Sequence, residues 1–158
     1  MEKIEEIFCE VVSGLNKKNI KPIIYGSFGL YLKIGGSKKD EVNDIDFIID
    51  NSKEFPSIRE ILSKIGFQTD PDHDRELIRN DFYISFIDKS EIEKMINESL
   101  KLEFVSFNSV QFFNIDILQY HKIYSEGIKD ENRKNKKEED DLNKIKEIKN
   151  FMSSLSNP

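Results

Sequence analysis

The apolar positions of this chain change their period repeatedly along its length, and each change marks an element. Ile4, Ile7, Phe8, Val11 and Leu15 recur at three- and four-residue spacing, which predicts an amphipathic helix to about Lys17. Its stripe carries no polar chemistry, so its role is packing. Residues 20–25 read as a strand with Pro22 near the start, where a missing N–H does least harm. Gly26-Ser27 then turns the chain into a short helix over 28–34, ended by Gly35, Gly36 and Ser37. A polar loop over 38–43 leads to Asp44–Ile49, where polar and apolar residues alternate as in a strand. Ser57 and Glu60 have the spacing of a capping box, and Ile58, Ile61, Leu62 and Ile65 form the stripe of the helix it opens. Gly66 fits the end of that helix.

The second half turns to hairpins. Residues 67–69 look like a strand, and D-P-D-H-D after them is a polar turn-rich loop. Residues 75–79 and 82–87 flank Asn80-Asp81, and 102–107 and 110–113 flank Asn108-Ser109, two hairpin signals. Between them Ser90 and Glu93 suggest another capping box, with Ile92, Met95 and Ile96 on one helix face. Asn114 is placed to cap a helix through Tyr124. A polar stretch over 127–137 holds Lys129, Arg133, Lys134, Lys136 and Lys137, and Glu138 to Asp141 then suit the start of a last helix with Leu142, Ile145, Ile148 and Met152 on its apolar face. Helices interleaved with strands give an α/β (α+β) fold: a mixed sheet of five or six strands with helices mainly on one side. Hairpins require antiparallel pairs, so the sheet is not wholly parallel. The expected organisation is one domain over 1–158, with a helix at 1–18, the sheet core at 20–113 and C-terminal helices at 114–153.

Chemistry concentrates between residues 23 and 50. Asp44 and Asp46 are two apart on one strand, so they project from one face while Ile45, Phe47 and Ile49 point to a core. Adjacent carboxylates repel and cost desolvation unless a cation sits between them, and oxygen donors favour a hard divalent ion, Mg²⁺ above all. Gly26 allows a sharp bend and close approach, Ser27 brings a hydroxyl and an N–H, and a helix starting there would offer its free N–H groups to phosphate. Together these read as a nucleotide–Mg²⁺ site; the plainer alternative is an ordinary turn and a solvated strand face. His73 in D-P-D-H-D lacks the partners and spacing of a zinc site and reads as a solvated loop at the edge of the site. His121 reads as a packing residue on a helix. There is no G-x-x-x-x-G-K-[ST] phosphate loop, and no G-x-S-x-G elbow surrounds Ser27.

Composition narrows the partners. A formal net charge of −6 argues against an extended nucleic-acid surface but leaves room for one metal-held nucleotide. The single Cys9 allows no intrachain disulfide, which suits the reducing cytoplasm. No stretch approaches the ~20 apolar residues of a membrane span, and residues 1–18 lack the continuous hydrophobic run of a signal peptide.

The order Gly26-Ser27, a helix-length gap, then Asp44-Ile45-Asp46-Phe47 resembles the nucleotidyltransferase (polymerase-beta-like) superfamily. The tail is similar to the hK…R…KDxxDLxxL ending of small bacterial antibiotic nucleotidyltransferases and their relatives: Lys122, Arg133, Asp141, Leu142 and Ile145 fall on it, with Glu138 where Asp is usual. The resemblance implies an NTP substrate, Mg²⁺ held by Asp44 and Asp46, and phosphates held by Gly26 and Ser27 with Lys122 reaching the triphosphate. A nucleoside monophosphate would pass to an acceptor hydroxyl on a small molecule or protein. The superfamily usually adds a third carboxylate from a later strand, and the centre of the best strand here is Ser85. Asp81, Asp88 and Glu103 are the stand-ins, although Asp88 shares strand parity with Phe82, Ile84 and Phe86. The alternative implied by Ser85 is a nucleotide-binding or partner-binding domain, antitoxin-like, with little or no turnover.

Overall fold

A computed structural model describes residues 3–35, 41–129 and 138–156. Gly36, Ser37, residues 38–40 of the polar loop, and Arg133, Lys134, Lys136 and Lys137 of the basic stretch lie outside the described residues. The elements run α1 (Ile4–Asn16), β1 (Ile23–Tyr25), α2 (Gly26–Ile34), β2 (Asp44–Ile49), α3 (Phe55–Ser63), β3 (Gln68–Asp70), β4 (His73–Arg79), β5 (Phe82–Asp88), α4 (Lys89–Ile96), β6 (Leu102–Phe107), β7 (Val110–Ile115), α5 (Ile117–Lys129) and α6 (Glu138–Ser156).

Among the described residues seven strands join one sheet in the order β3-β4-β5-β2-β1-β7-β6. That is more than the five or six expected, because the short β3 and the outlying β6–β7 hairpin both pair into it. The sheet is mixed: β2 is parallel to β5 and antiparallel to β1, while β1 is parallel to β7.

Strand alternation sends side chains into two separate cores. Ile45, Phe47 and Ile49 of β2, with Ile84 and Phe86 of β5, pack against Phe8, Val11 and Leu15 of α1 and Ile58 and Leu62 of α3. On the opposite face Ile48 meets Ile92 of α4, Tyr120 and Tyr124 of α5 and Ile148 of α6. α2 straddles the two, with Phe28 in the first core and Leu30 in the second. Most helical cover therefore lies on one side, as expected, and α1 and α3 cover the other.

Three helix starts differ from the sequence expectation. α3 begins at Phe55 with Pro56 in its first turn, ahead of Ser57, and has no side-chain cap. Proline favours that position because the first N–H groups of a helix lack partners anyway. α4 begins at Lys89, ahead of Ser90, and Glu93 accepts a hydrogen bond from the Leu100 N–H (2.8 Å) in place of closing a capping box. Asn114 lies inside β7, and Asp116 takes over at α5, accepting from the Leu118 N–H (3.1 Å). On α6 the inward position is Asp141, 1% exposed, while Leu142 is 51% exposed, so the buried row reads 141, 145, 148.

Candidate functional site

The register of four neighbouring strands lays a row of residues across one face of the sheet. Tyr25 of β1 is the partner of Asp46 on β2, Asp46 of Ser85 on β5, and Ser85 of Glu76 on β4. Residues directly paired across a sheet point to the same side. Asp44, two back from Asp46, shares that side, so the sequence-predicted pair stands together. The row forms the floor of a cleft of about 460 Å³, whose wall includes Tyr124 of α5 and Asp141 and Lys144 of α6.

Gly26 closes one end of this cleft and is required there twice over. Its φ is +75°, a conformation that L side chains rarely adopt, and a Cβ at this position would come within 2.8 Å of Asp46 Cγ. The Asp46 carboxylate therefore packs directly on the glycine that starts α2, a helix end where negative charge is favoured. α2 begins at Gly26 itself, so Gly26 and Ser27 are its first residues and both line the cleft.

A buried polar network holds α2 in place below. The Tyr120 hydroxyl donates to Asn114 Oδ1 (2.5 Å), the Asn114 side-chain amide donates to the Gly29 carbonyl (2.9 Å), and Ile115 N–H also donates to Asn114 Oδ1 (2.8 Å). Gly29 has to be glycine for the same reason, since a Cβ there would run into the Tyr120 hydroxyl. Tyr124, one turn beyond Tyr120, behaves differently. Its hydroxyl is fully buried and has no well-formed hydrogen bond among the described residues, although the Ser27 side chain is near enough to ease its ionisation. Burial, followed by the negative charge of Asp46, pushes the Tyr124 phenol well above its usual range. The phenol thus stands in the cleft wall beside Asp46 and Ser27.

The donor set suits a hard cation. Among the described residues the cleft carries Asp44, Asp46, Glu76, Glu126 and Asp141 against Lys144 alone. Such an excess of carboxylate oxygens repels free phosphate and favours Mg²⁺ or Mn²⁺.

Lys122 does not join this constellation. It is absent from the cleft wall and forms an ion pair with Glu98 across the α4–α5 side. Tyr120 and Tyr124 occupy the inward face of α5, so Lys122, two from each, turns outward; among the described residues the cation that reaches the cleft is Lys144, 5.5 Å from the Tyr124 ring centre. The three stand-in acids also lie elsewhere. Asp81 sits in the β4–β5 turn beside a different and larger cavity of about 820 Å³, lined by the start of α1 and residues 41–43 and without a convergent set of carboxylates on one strand face. Asp88 pairs with Arg75 (3.3 Å) on the side of the first core, as its parity with Phe86 requires. Glu103 forms an ion pair with Lys33.

The acid that sequence reasoning missed is Glu76. Its Oε1 accepts a hydrogen bond from Ser85 Oγ (3.1 Å), so a carboxylate one strand further out projects over the serine. The signal was present: a two-residue turn at Asn80-Asp81 sets Arg79 opposite Phe82, which puts Glu76 opposite Ser85. His73 stands at the far side of Glu76, with its Nδ1 3.4 Å from Glu76 Oε2 and 3.2 Å from Asp70 Oδ2.

This fold is found in a solved structure of low sequence similarity. The chain is similar to an antigenic nucleotidyltransferase-like protein from Paracoccidioides brasiliensis, at 13% identity and a TM-score of 0.66, over 92% of this chain and 75% of that one. No family model matches the chain, and no curated protein matches it. The likeness establishes a nucleotidyltransferase-like fold.

Proposed function

We propose that the cleft binds a nucleoside triphosphate with a divalent metal and transfers its nucleoside monophosphate to an acceptor hydroxyl. The observation that carries this reading is the convergence of Gly26-Ser27, Asp44, Asp46 and Glu76 on one cleft that is also lined by the buried Tyr124. Asp44 and Asp46 would hold the metal, Mg²⁺ by the chemistry of their oxygens, and it would supply charge neutralisation for the phosphates. Ser27 and the first N–H groups of α2 would take phosphate oxygens, and Tyr124 would donate to one of them. Strands are ~4.8 Å apart, so Glu76, two strands from Asp46, has its backbone ~10 Å away. That separation suits a proton acceptor on the acceptor side better than a ligand of the same ion. In the transfer the acceptor oxygen bonds to the α-phosphorus, the bond to the β-phosphate oxygen breaks, pyrophosphate leaves, and the hydroxyl proton passes to Glu76.

Binding and turnover are separable by experiment. Mg²⁺ with NTP should raise the melting temperature of the wild type, because a ligand of the native state stabilises it by RT ln(1 + [L]/Kd). Asp44→Asn combined with Asp46→Asn should abolish that rise, and an equal rise in the double variant would place the nucleotide elsewhere. Glu76→Gln should keep the rise and lose ~10²-fold or more of the transfer from labelled NTP, assayed with aminoglycoside, lincosamide, nucleotide and protein acceptors.

Ser85 supports a second reading. It faces Asp46 across the parallel pair, where an acid would complete a tight triad. A domain that binds Mg²⁺-NTP without turnover, acting through a partner, would show the thermal shift and no transfer with any acceptor.

A further inference from the structure

The β3–β4 hairpin carries a second constellation, at the sheet edge and outside the Asp44–Asp46 pair. Asp70 and His73 are partners across the hairpin, and a register shift at Thr69/Asp70 re-aims Asp70 toward the ring. One ligand atom from each of Asp70, His73 and Glu76 lies within 4.8 Å of the other two. Each carboxylate has one oxygen held from outside the trio: Asp70 Oδ1 accepts from the Asp72 N–H (2.9 Å) and Glu76 Oε1 from Ser85 Oγ (3.1 Å). Their other oxygens both face His73 Nδ1, at 3.2 and 3.4 Å. Orienting hydrogen bonds of this kind fix the ligands around a metal. Donors ~2.05 Å from a tetrahedral ion stand ~3.3 Å apart, the separation of both of these pairs.

We propose that Asp70, His73 and Glu76 form a binding site for a borderline divalent ion, with Zn²⁺ the best fit. A nitrogen donor beside two carboxylate oxygens disfavours Mg²⁺ and Ca²⁺, which take oxygen ligands, and matches Zn²⁺ with its fourth position left to water. Metal at Nδ1 would replace the hydrogen bond between Nδ1 and Asp70 Oδ2 and requires the ring proton to reside on Nε2. His73 is 63% exposed in its side chain, so an ion has direct access from solvent. The site shares Glu76 with the cleft, so an ion bound there would engage the carboxylate assigned above as proton acceptor, and its test therefore reads the metal alone.

The chain has two histidines, so the untagged protein gives two imidazole Cε1–H signals by NMR. Adding Zn²⁺ at neutral pH should move or broaden one of them, and His73→Gln should remove that responding signal and leave the other. By calorimetry, His73→Gln and Asp70→Asn should each weaken Zn²⁺ binding by at least about tenfold, in proteins whose circular dichroism and melting match the wild type. Asp44→Asn with Asp46→Asn should retain the response. The proposal is overturned if neither imidazole responds, if His121 is the one that moves, if Zn²⁺ affinity survives both edge variants, or if it is lost in the cleft double variant. Should either edge variant misfold, the other with the NMR assignment still decides the outcome.

Discussion

β2 has two faces, and the same six residues obey different rules on each. On one, Ile45, Phe47 and Ile49 enter a continuous apolar core in which Phe8 lies 5.1 Å from Phe28 and 5.0 Å from Phe112, ring centre to ring centre. On the other, Asp44 and Asp46 share a cleft with Tyr25, Tyr124 and the buried Asp141. The first face is what hydrophobic burial alone would select. The second spends part of that stability on buried polar groups, which cost free energy unless every partner is supplied. A strand with period two can keep the two demands apart, so stability and chemistry can be altered one at a time.

The largest expected effect tests the apolar face. Phe47 is fully buried and packs between Phe8 and Phe86, so Phe47→Ala should cost about 3–5 kcal/mol in urea unfolding. Asp46→Asn, one residue away, should cost much less and remove Mg²⁺-NTP binding. Equal losses of stability from the two substitutions would mean that the faces are not separable.

Gly26→Ala comes next and strikes the boundary between the faces. The positive φ alone should cost about 1–2 kcal/mol. The added methyl also displaces the Asp46 carboxylate, so the metal-dependent thermal shift should disappear along with a modest fall in melting temperature. A variant with normal nucleotide stabilisation would show that Asp46 need not rest on this glycine.

The apolar face was far more legible in the sequence than the chemical one. Stripes at helical spacing placed α1, and alternation placed β2 and both hairpins, because burial imposes its period on the residues directly. Asp44, Asp46, Gly26 and Ser27 were legible for a related reason: one strand and one turn carry them. Glu76 was less so, since its place over Ser85 follows only once the Asn80-Asp81 turn is used to pair the two strands of its hairpin. Asn114 shows the same limit. It has the composition of a helix cap, yet tertiary contacts with Gly29 and Tyr120 hold it inside β7. Lys122 matched a pattern on the chain, but the pattern does not say which face of α5 turns inward.

The buried tyrosines give the chemical face a pH signature. Burial is the main cause that holds the Tyr120 phenol well above its ordinary 10.0, with Tyr124 and Asp46 adding to it. In the unfolded chain Tyr120 loses its proton near 10, while the folded chain keeps it, so the folded state binds more protons above that pH. Stability is fully present below pH ~10 and falls as pH rises from there toward the raised folded value. Tyr120→Phe should flatten this alkaline decline in melting temperature, and an unchanged slope would mean that other groups govern it.

The smallest effect is the most discriminating between the two lysines. Lys122 donates to the partly exposed Glu98 and holds that carboxylate below its usual 4.5, an interaction that exists above this pH and fades as pH falls through the lowered value. Exposed pairs contribute little, so Lys122→Ala should shift the melting temperature by no more than about 2 °C at neutral pH. It should leave Mg²⁺-NTP stabilisation intact, because the side chain points away from the cleft. Lys144→Ala removes the cation that, among the described residues, does line it and should reduce that stabilisation, since a bound triphosphate would then meet the cleft's carboxylates with less positive charge beside them. Loss of nucleotide binding in Lys122→Ala, with Lys144→Ala unaffected, would restore the role that the sequence pattern implied and require α5 to turn when ligand binds.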